Sequence, residues 1–152
     1  MPQEAGGRSG VPMRNIFLGA VLPLLAASCT ERAEVAVSDA WVRLPAVPGR
    51  PAAAYFVLRG GPVDTTLVAV RSDSARRAEL HESMAGGMRA LGSVSVSAGQ
   101  EVRFAPGGKH VMLFDLDPRL AAGKTLTLRL SFADGGVLEA RARAVGAAES
   151  AP

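Results

Sequence analysis

From Glu34 onward the chain alternates hydrophobic and polar residues with a period of two. In 125–132, Leu126, Leu128, Leu130 and Phe132 alternate with Thr125, Thr127, Arg129 and Ser131. In 137–145, Leu138, Ala140, Ala142 and Ala144 alternate with Glu139, Arg141 and Arg143. Side chains of a strand point to opposite faces in turn, so each run predicts a strand with one buried face. The intervening Asp134-Gly135-Gly136 makes the two runs a hairpin. Val94 and Val96, then Val102 and Phe104, repeat the pattern over shorter spans. Turn signals separate the runs: Pro45 to Pro51, Gly60-Gly61-Pro62, Gly86-Gly87, Gly99, Pro106-Gly107-Gly108, Gly123 and the Gly pair at 135–136. No window holds an amphipathic 3.6-residue period over three turns. Short strands at this spacing predict an all-β domain, an antiparallel β-sandwich. Its span is 35–146, with a tether at 29–34 before it and a flexible tail at 147–152.

Residues 1–28 read differently. Arg14 precedes an apolar run from Ile16 to Leu25, and Ala26-Ala27-Ser28 leads into Cys29. A basic residue, a short apolar run and a small-residue junction describe a secretory signal. The run is too short for a spanning helix, which needs about 20 apolar residues. Small residues directly before the chain's one cysteine resemble a bacterial lipoprotein signal, in which Cys29 is lipidated and becomes the first mature residue. Ala26 stands where such signals usually carry Leu, with Leu25 one place further out. Residues 1–12 are unlike the head of a signal, and Met13 is an alternative start. The expected location is periplasmic or otherwise extracytoplasmic, with the membrane held through the lipid.

Composition narrows the function. Hydrophobic residues are 48% and aromatics only 5%, so the core must be built from Val, Leu and Ala. Lys and Arg exceed Asp and Glu by 17 to 14, but Arg76-Arg77 is the one adjacent basic pair. No basic stripe follows a phosphate backbone, which argues against nucleic-acid partners. A single cysteine excludes an intramolecular disulfide and any site needing two thiolates. If Cys29 carries lipid, the mature domain has no free thiol. No Gly-x-Ser-x-Gly elbow, no phosphate-cradling loop and no closely spaced carboxylate pair is present, so a catalytic role is not expected.

The soft and borderline metal ligands are distributed unevenly. His81, Met84, Met88, His110 and Met112 include both histidines and every methionine beyond Met13. With Ala78 and Leu80 facing the core, His81 points outward. If 84–87 form a four-residue loop around Gly86-Gly87, Ser83 pairs with Met88 and His81 with Ala90, which makes His81 and Met88 diagonal neighbours on one face, about 7–8 Å apart. His110 and Met112 are two apart and share a face, opposite to Val111 and Leu113. Thioether sulfur is soft and uncharged; it selects Cu(I) over Zn²⁺, Mg²⁺ or Ca²⁺, and imidazole is tolerated beside it. Without a thiolate, blue-copper electron transfer is excluded. Taken singly, each histidine also reads as a surface residue and each methionine as core filler. A non-metal structural sandwich therefore stays open on spacing alone.

The stretch Leu80-His81 … Gly86-Gly87-Met88-Arg89 … Pro106-Gly107-Gly108-Lys109-His110-Val111-Met112-Leu113 resembles the PCu(A)C periplasmic copper chaperones. Their hallmark is His, then Met, then twenty-one residues, then His-x-Met. Met88 and His110 are separated by twenty-one residues here, and His110-Val111-Met112 completes the element. Asp39-Ala40-Trp41-Val42-Arg43 and Ala53-Ala54-Tyr55-Phe56 resemble the family's opening strands. One departure stands out: six residues rather than ten separate His81 from Met88. The difference is even, so a hairpin shortened at its tip keeps both on one face. The resemblance implies a cupredoxin-like sandwich, a monomer, binding Cu(I) through His81, Met88, His110 and Met112, with Met84 as an extra or substitute ligand. It also implies delivery toward the dinuclear copper site of a respiratory cytochrome c oxidase subunit, alongside Sco-type proteins. Copper storage or tolerance is the alternative.

Overall fold

A computed structural model describes residues 34–152. The signal segment at 1–28, Cys29 and all but the last residue of the 29–34 tether lie outside the described residues. Ten strands follow one another: β1 (Ala36–Arg43), β2 (Ala52–Arg59), β3 (Thr65–Ser72), β4 (Ala75–Met84), β5 (Gly87–Ala90), β6 (Val94–Val96), β7 (Glu101–Phe104), β8 (Lys109–Leu116), β9 (Thr125–Phe132) and β10 (Val137–Val145). No helix occurs among the described residues.

The strands form one continuous sheet in the order β5-β4-β8-β7-β2-β1-β10-β9-β3-β6, with β8 also paired to β2. β3 bonds to β9 and β6, whereas β4 bonds to β8 and β5. The turn at Asp73-Ser74 therefore carries the chain from one half of the sheet to the other, and the halves fold face to face as a sandwich. Between them lie Val42, Phe56, Leu58, Leu67, Val111, Leu113, Leu128 and Leu130, each at most 1% exposed. The Phe56 and Phe104 rings stack at 4.3 Å inside this core. The expected β9–β10 hairpin is present, with Leu128, Leu130, Ala140 and Ala142 all turned inward.

Two features refine the antiparallel expectation. β1 and β10 run parallel, Trp41 opposite Arg143 and Arg43 opposite Val145, and β7 meets β8 parallel at Phe104 and Lys109. First and last strands are joined by the whole domain rather than by a hairpin, so nothing in their connection forces an antiparallel pairing. β1 also carries a bulge between Ser38 and Trp41, where Asp39 takes φ 51°. An extra residue reverses the alternation beyond it. Val37, before the bulge, packs on the core and so does Val42 after it, which leaves Trp41 on the outer face opposite Tyr55. That inversion supplies one wall of the site described next.

Candidate metal centre

β8 lies between β4 and β2 and carries the centre of the site. Leu80 opposite Val111 and Ala78 opposite Leu113 set the inner face. The same register puts His81 directly opposite His110, and Met112 between Glu79 on β4 and Ala53 on β2. The two imidazole centroids are 6.0 Å apart, their planes inclined by 35°. An imidazole nitrogen sits about 2.0–2.1 Å from a bound first-row ion, and its ring centre about 1.1 Å further, so two rings sharing one ion stand at most about 6.4 Å apart. The observed spacing is just inside that limit. The two rings are therefore close enough to share one ion.

Hydrogen bonding decides which nitrogen of each ring is free. His110 Nδ1 lies 2.9 Å from the Gly108 carbonyl, and a carbonyl can only accept, so Nδ1 carries the proton and the Nε2 lone pair is left over. His81 Nε2 lies 3.0 Å from Glu79 Oε2, while its Nδ1 is buried with no partner. Buried polar atoms are nearly always paired, so an unpartnered nitrogen on a ring 6.0 Å from a second imidazole points to a missing ligand. Glu79 has both oxygens engaged, Oε1 by Arg77 and Oε2 by His81. The hydrogen bond from His81, with Arg77 adding to it, holds the Glu79 carboxyl below its usual range. Arg77 in turn lies over the Phe114 ring, 3.9 Å from its centroid.

Met88 lies on the β4–β5 hairpin. Ser83 pairs with Met88 and His81 with Ala90, the register expected from sequence. The loop is tighter than a four-residue reversal: Met84 pairs with Gly87, leaving Ala85 and Gly86, and Gly86 has the φ of +99° that favours glycine. Met88 thus shares a face with His81 and is 60% exposed on the edge strand. Met112 is half-buried on the same face, on the opposite diagonal of His81. Met84 falls on the other alternation of β4, with its side chain exposed. The structure therefore brings His81, His110, Met88 and Met112 to one face and sets Met84 on the other. Below the hairpin, Glu82 accepts from Lys109 Nζ and Arg89 Nη2, both at 2.8 Å, and so ties β4 to β8 and β5. These two partners hold the Glu82 carboxyl below its usual range, Lys109 contributing most.

The outer face is less open than alternation alone implies. His110 is only 4% exposed. A second apolar cluster of Trp41, Tyr55 and Val145, with Ala53 against it, lies on that face. Tyr55 packs tilted against Trp41 at 4.5 Å and stands 6.5 Å from the His110 ring, and Arg43 covers Trp41 at 5.1 Å. Burial pushes the Tyr55 hydroxyl pKa up, with Arg43 opposing. Sequence reasoning missed two orienting groups, Glu79 and the Gly108 carbonyl. Each lies two residues before its histidine, the one signal that could have marked them. Among the described residues no group of three or more His, Cys, Asp or Glu side chains is placed to hold a metal ion.

This fold is that of the PCuAC domains. The solution structure of CuI-DR1885 from Deinococcus radiodurans superposes with a TM-score of 0.64 at 25% identity, covering 81% of this chain and 86% of that one. The apo PCuAC domain from PmoF1 superposes with a TM-score of 0.63 at 26% identity, over 76% of this chain and 97% of its own. Within that class, the family described as "Putative lipoprotein LpqE-like" matches residues 35–144, and the chain belongs to it. "Putative lipoprotein Lxx21020" of Leifsonia xyli subsp. xyli (strain CTCB07) is 34% identical over 106 residues, 66% of this chain. The match spans 63% of that relative's length.

Proposed function

We propose that this chain is an extracytoplasmic copper chaperone, a carrier rather than an enzyme, that holds one Cu(I) through His81, Met88, His110 and Met112. The observation that carries the reading is the directly opposed His81–His110 pair, 6.0 Å between centroids, with a buried and unpartnered Nδ1 on His81. Two neutral imidazoles and two thioethers suit a soft monovalent ion and offer no charge to retain a divalent one. The similarly folded DR1885 was solved in its CuI form, which supports the same choice.

The site also suits release. Met88 is on a short edge strand and mostly exposed, whereas His110 is buried. An acceptor's incoming ligand therefore meets Met88 first, and exchange proceeds from the hairpin edge toward the histidines. The acceptor we propose is the dinuclear copper site of cytochrome c oxidase, reached directly or with a Sco-type protein, while lipid on Cys29 tethers the domain once the 1–28 signal is removed. The alternation that turns Met84 away favours Met88 as the hairpin ligand.

Anaerobic titration of Cu(I) against a competing chelator, with copper X-ray absorption on the loaded form, tests the site. One ion per chain with two sulfur scatterers is expected. Affinity no better than micromolar, or no sulfur at the metal, removes the proposal. Mixing the loaded protein with the apo copper domain of the oxidase tests delivery, and copper that stays with the donor leaves storage as the role.

A further inference from the structure

We infer that Glu79 is a positioning residue that commits His81 to binding through Nδ1, so that the two histidines present different nitrogens to one ion, Nδ1 from residue 81 and Nε2 from residue 110. The inference rests on the copper reading above and adds which atoms carry it.

The chain of contacts is continuous. Phe114 supports the Arg77 guanidinium, Arg77 engages Glu79 Oε1, and Glu79 Oε2 faces His81 Nε2 at 3.0 Å. A ring turned over by 180° would put Cε1 against the carboxylate in place of Nε2, so the contact also settles the ring's orientation. An ionised carboxylate can only accept, so the group it meets on His81 Nε2 is an N–H. In the neutral ring the proton is then on Nε2, and the lone pair is on the buried Nδ1. His110 is oriented the opposite way, because the Gly108 carbonyl takes Nδ1–H. That carbonyl also accepts from Ser83 N at 3.1 Å, which holds it in place beside the hairpin. Partners behind the metal-facing atom commonly fix ring orientation and raise ligand basicity, and losing one costs about 10–100-fold in metal affinity. Glu79 pairs with Met112 across the sheet, but its oxygens are hard donors engaged by Arg77 and His81, a poor match for a soft ion.

The test is nitrogen-15 imidazole NMR of the protein, apo and loaded with Cu(I) under anaerobic conditions, with Glu79→Leu and Glu79→Gln. In the apo protein His81 should appear as the Nε2–H form and His110 as the Nδ1–H form. Cu(I) should shift Nδ1 of His81 and Nε2 of His110. Glu79→Leu should give a mixture of His81 tautomers and about 10–100-fold weaker Cu(I) binding, while Glu79→Gln, whose one oxygen stays with Arg77 and whose NH2 then faces His81 Nε2, should shift His81 toward the Nδ1–H form and weaken binding by a similar factor. A Cu(I)-induced shift at His81 Nε2, or a Glu79→Leu protein that binds as tightly as wild type, overturns the inference and leaves the copper site standing. Cu(I) that moves neither imidazole overturns both.

Discussion

Two adjacent residues of β8 should separate the stability of the fold from the binding of the ion. Leu113 points inward and is fully buried, between Ala52 on β2 and Ala78 on β4 in the register. Buried Leu→Ala substitutions cost about 2–5 kcal/mol, more where neighbours cannot collapse into the void. Both flanking partners here are alanines, too short to fill it, so Leu113→Ala should lie in the upper half, about 3–5 kcal/mol. For a domain of this size each kcal/mol moves the melting midpoint by about 4 °C, so the apo midpoint should fall by about 12–20 °C. Met112 points to the other face. Met112→Leu conserves volume and should cost under about 1.5 kcal/mol, yet it removes a sulfur. Denaturant unfolding followed by Trp41 emission gives stability, and anaerobic chelator competition gives Cu(I) affinity. Leu113→Ala should unfold early but, once folded, bind Cu(I) with wild-type affinity. Met112→Leu should stay folded and lose at least about tenfold in affinity, equivalent to about 1.4 kcal/mol. At a hundred times Kd, Cu(I) should add about 2.7 kcal/mol to wild type and Leu113→Ala alike. Met112→Leu binding copper as wild type does, or Leu113→Ala losing less than about 1 kcal/mol, would show that the two faces of β8 do not divide the work as argued.

Other outcomes follow from the same geometry. Gly60→Ala should lose about 1–3 kcal/mol in denaturant unfolding, because a Cβ there would stand 2.2 Å from the Ser97 carbonyl oxygen, which is backbone and cannot swing aside. Glu82→Ala should speed amide exchange across Gly87–Ala90 and weaken Cu(I) binding less than Met88→Leu does, since it loosens the hairpin without removing a ligand. Arg119 donates to Asp117 from its side chain and its backbone N–H, lowering that carboxyl from 3.8 to about 2. The folded-state value is depressed, so this contribution is present above pH 3.8 and is lost as pH falls toward about 2. Arg119→Ala should return the Asp117 carbon-13 titration toward 3.8, with wild-type and variant stabilities converging on acidification.

Which parts of this were legible in the sequence follows from what alternation can and cannot encode. The β9–β10 hairpin, the outward parity of His81 and the Ser83–Met88 pairing are local: a period of two and a turn signal are enough to assign them. The shortened hairpin keeps His81 and Met88 on one face because the four missing residues are an even number. The pairing of β1 with β10 was not legible, since the two strands are more than ninety residues apart and no turn joins them. Nor was the burial of His110. Alternation says which face a side chain takes, and it does not say whether another layer covers that face.

By itself the sequence determined the faces: which residues of β4, β5 and β8 lie on one side, and that the donors there are soft, neutral and without thiolate in the domain. Tertiary structure alone decided that β4 and β8 are neighbours in a register that opposes His81 to His110. It also decided, through the bulge at Asp39, that Trp41 and Tyr55 wall one side of the pair. Periodicity is a property of one strand, while a metal site is a property of several. The nitrogens left over for an ion are known only once Glu79 and Gly108 have taken theirs.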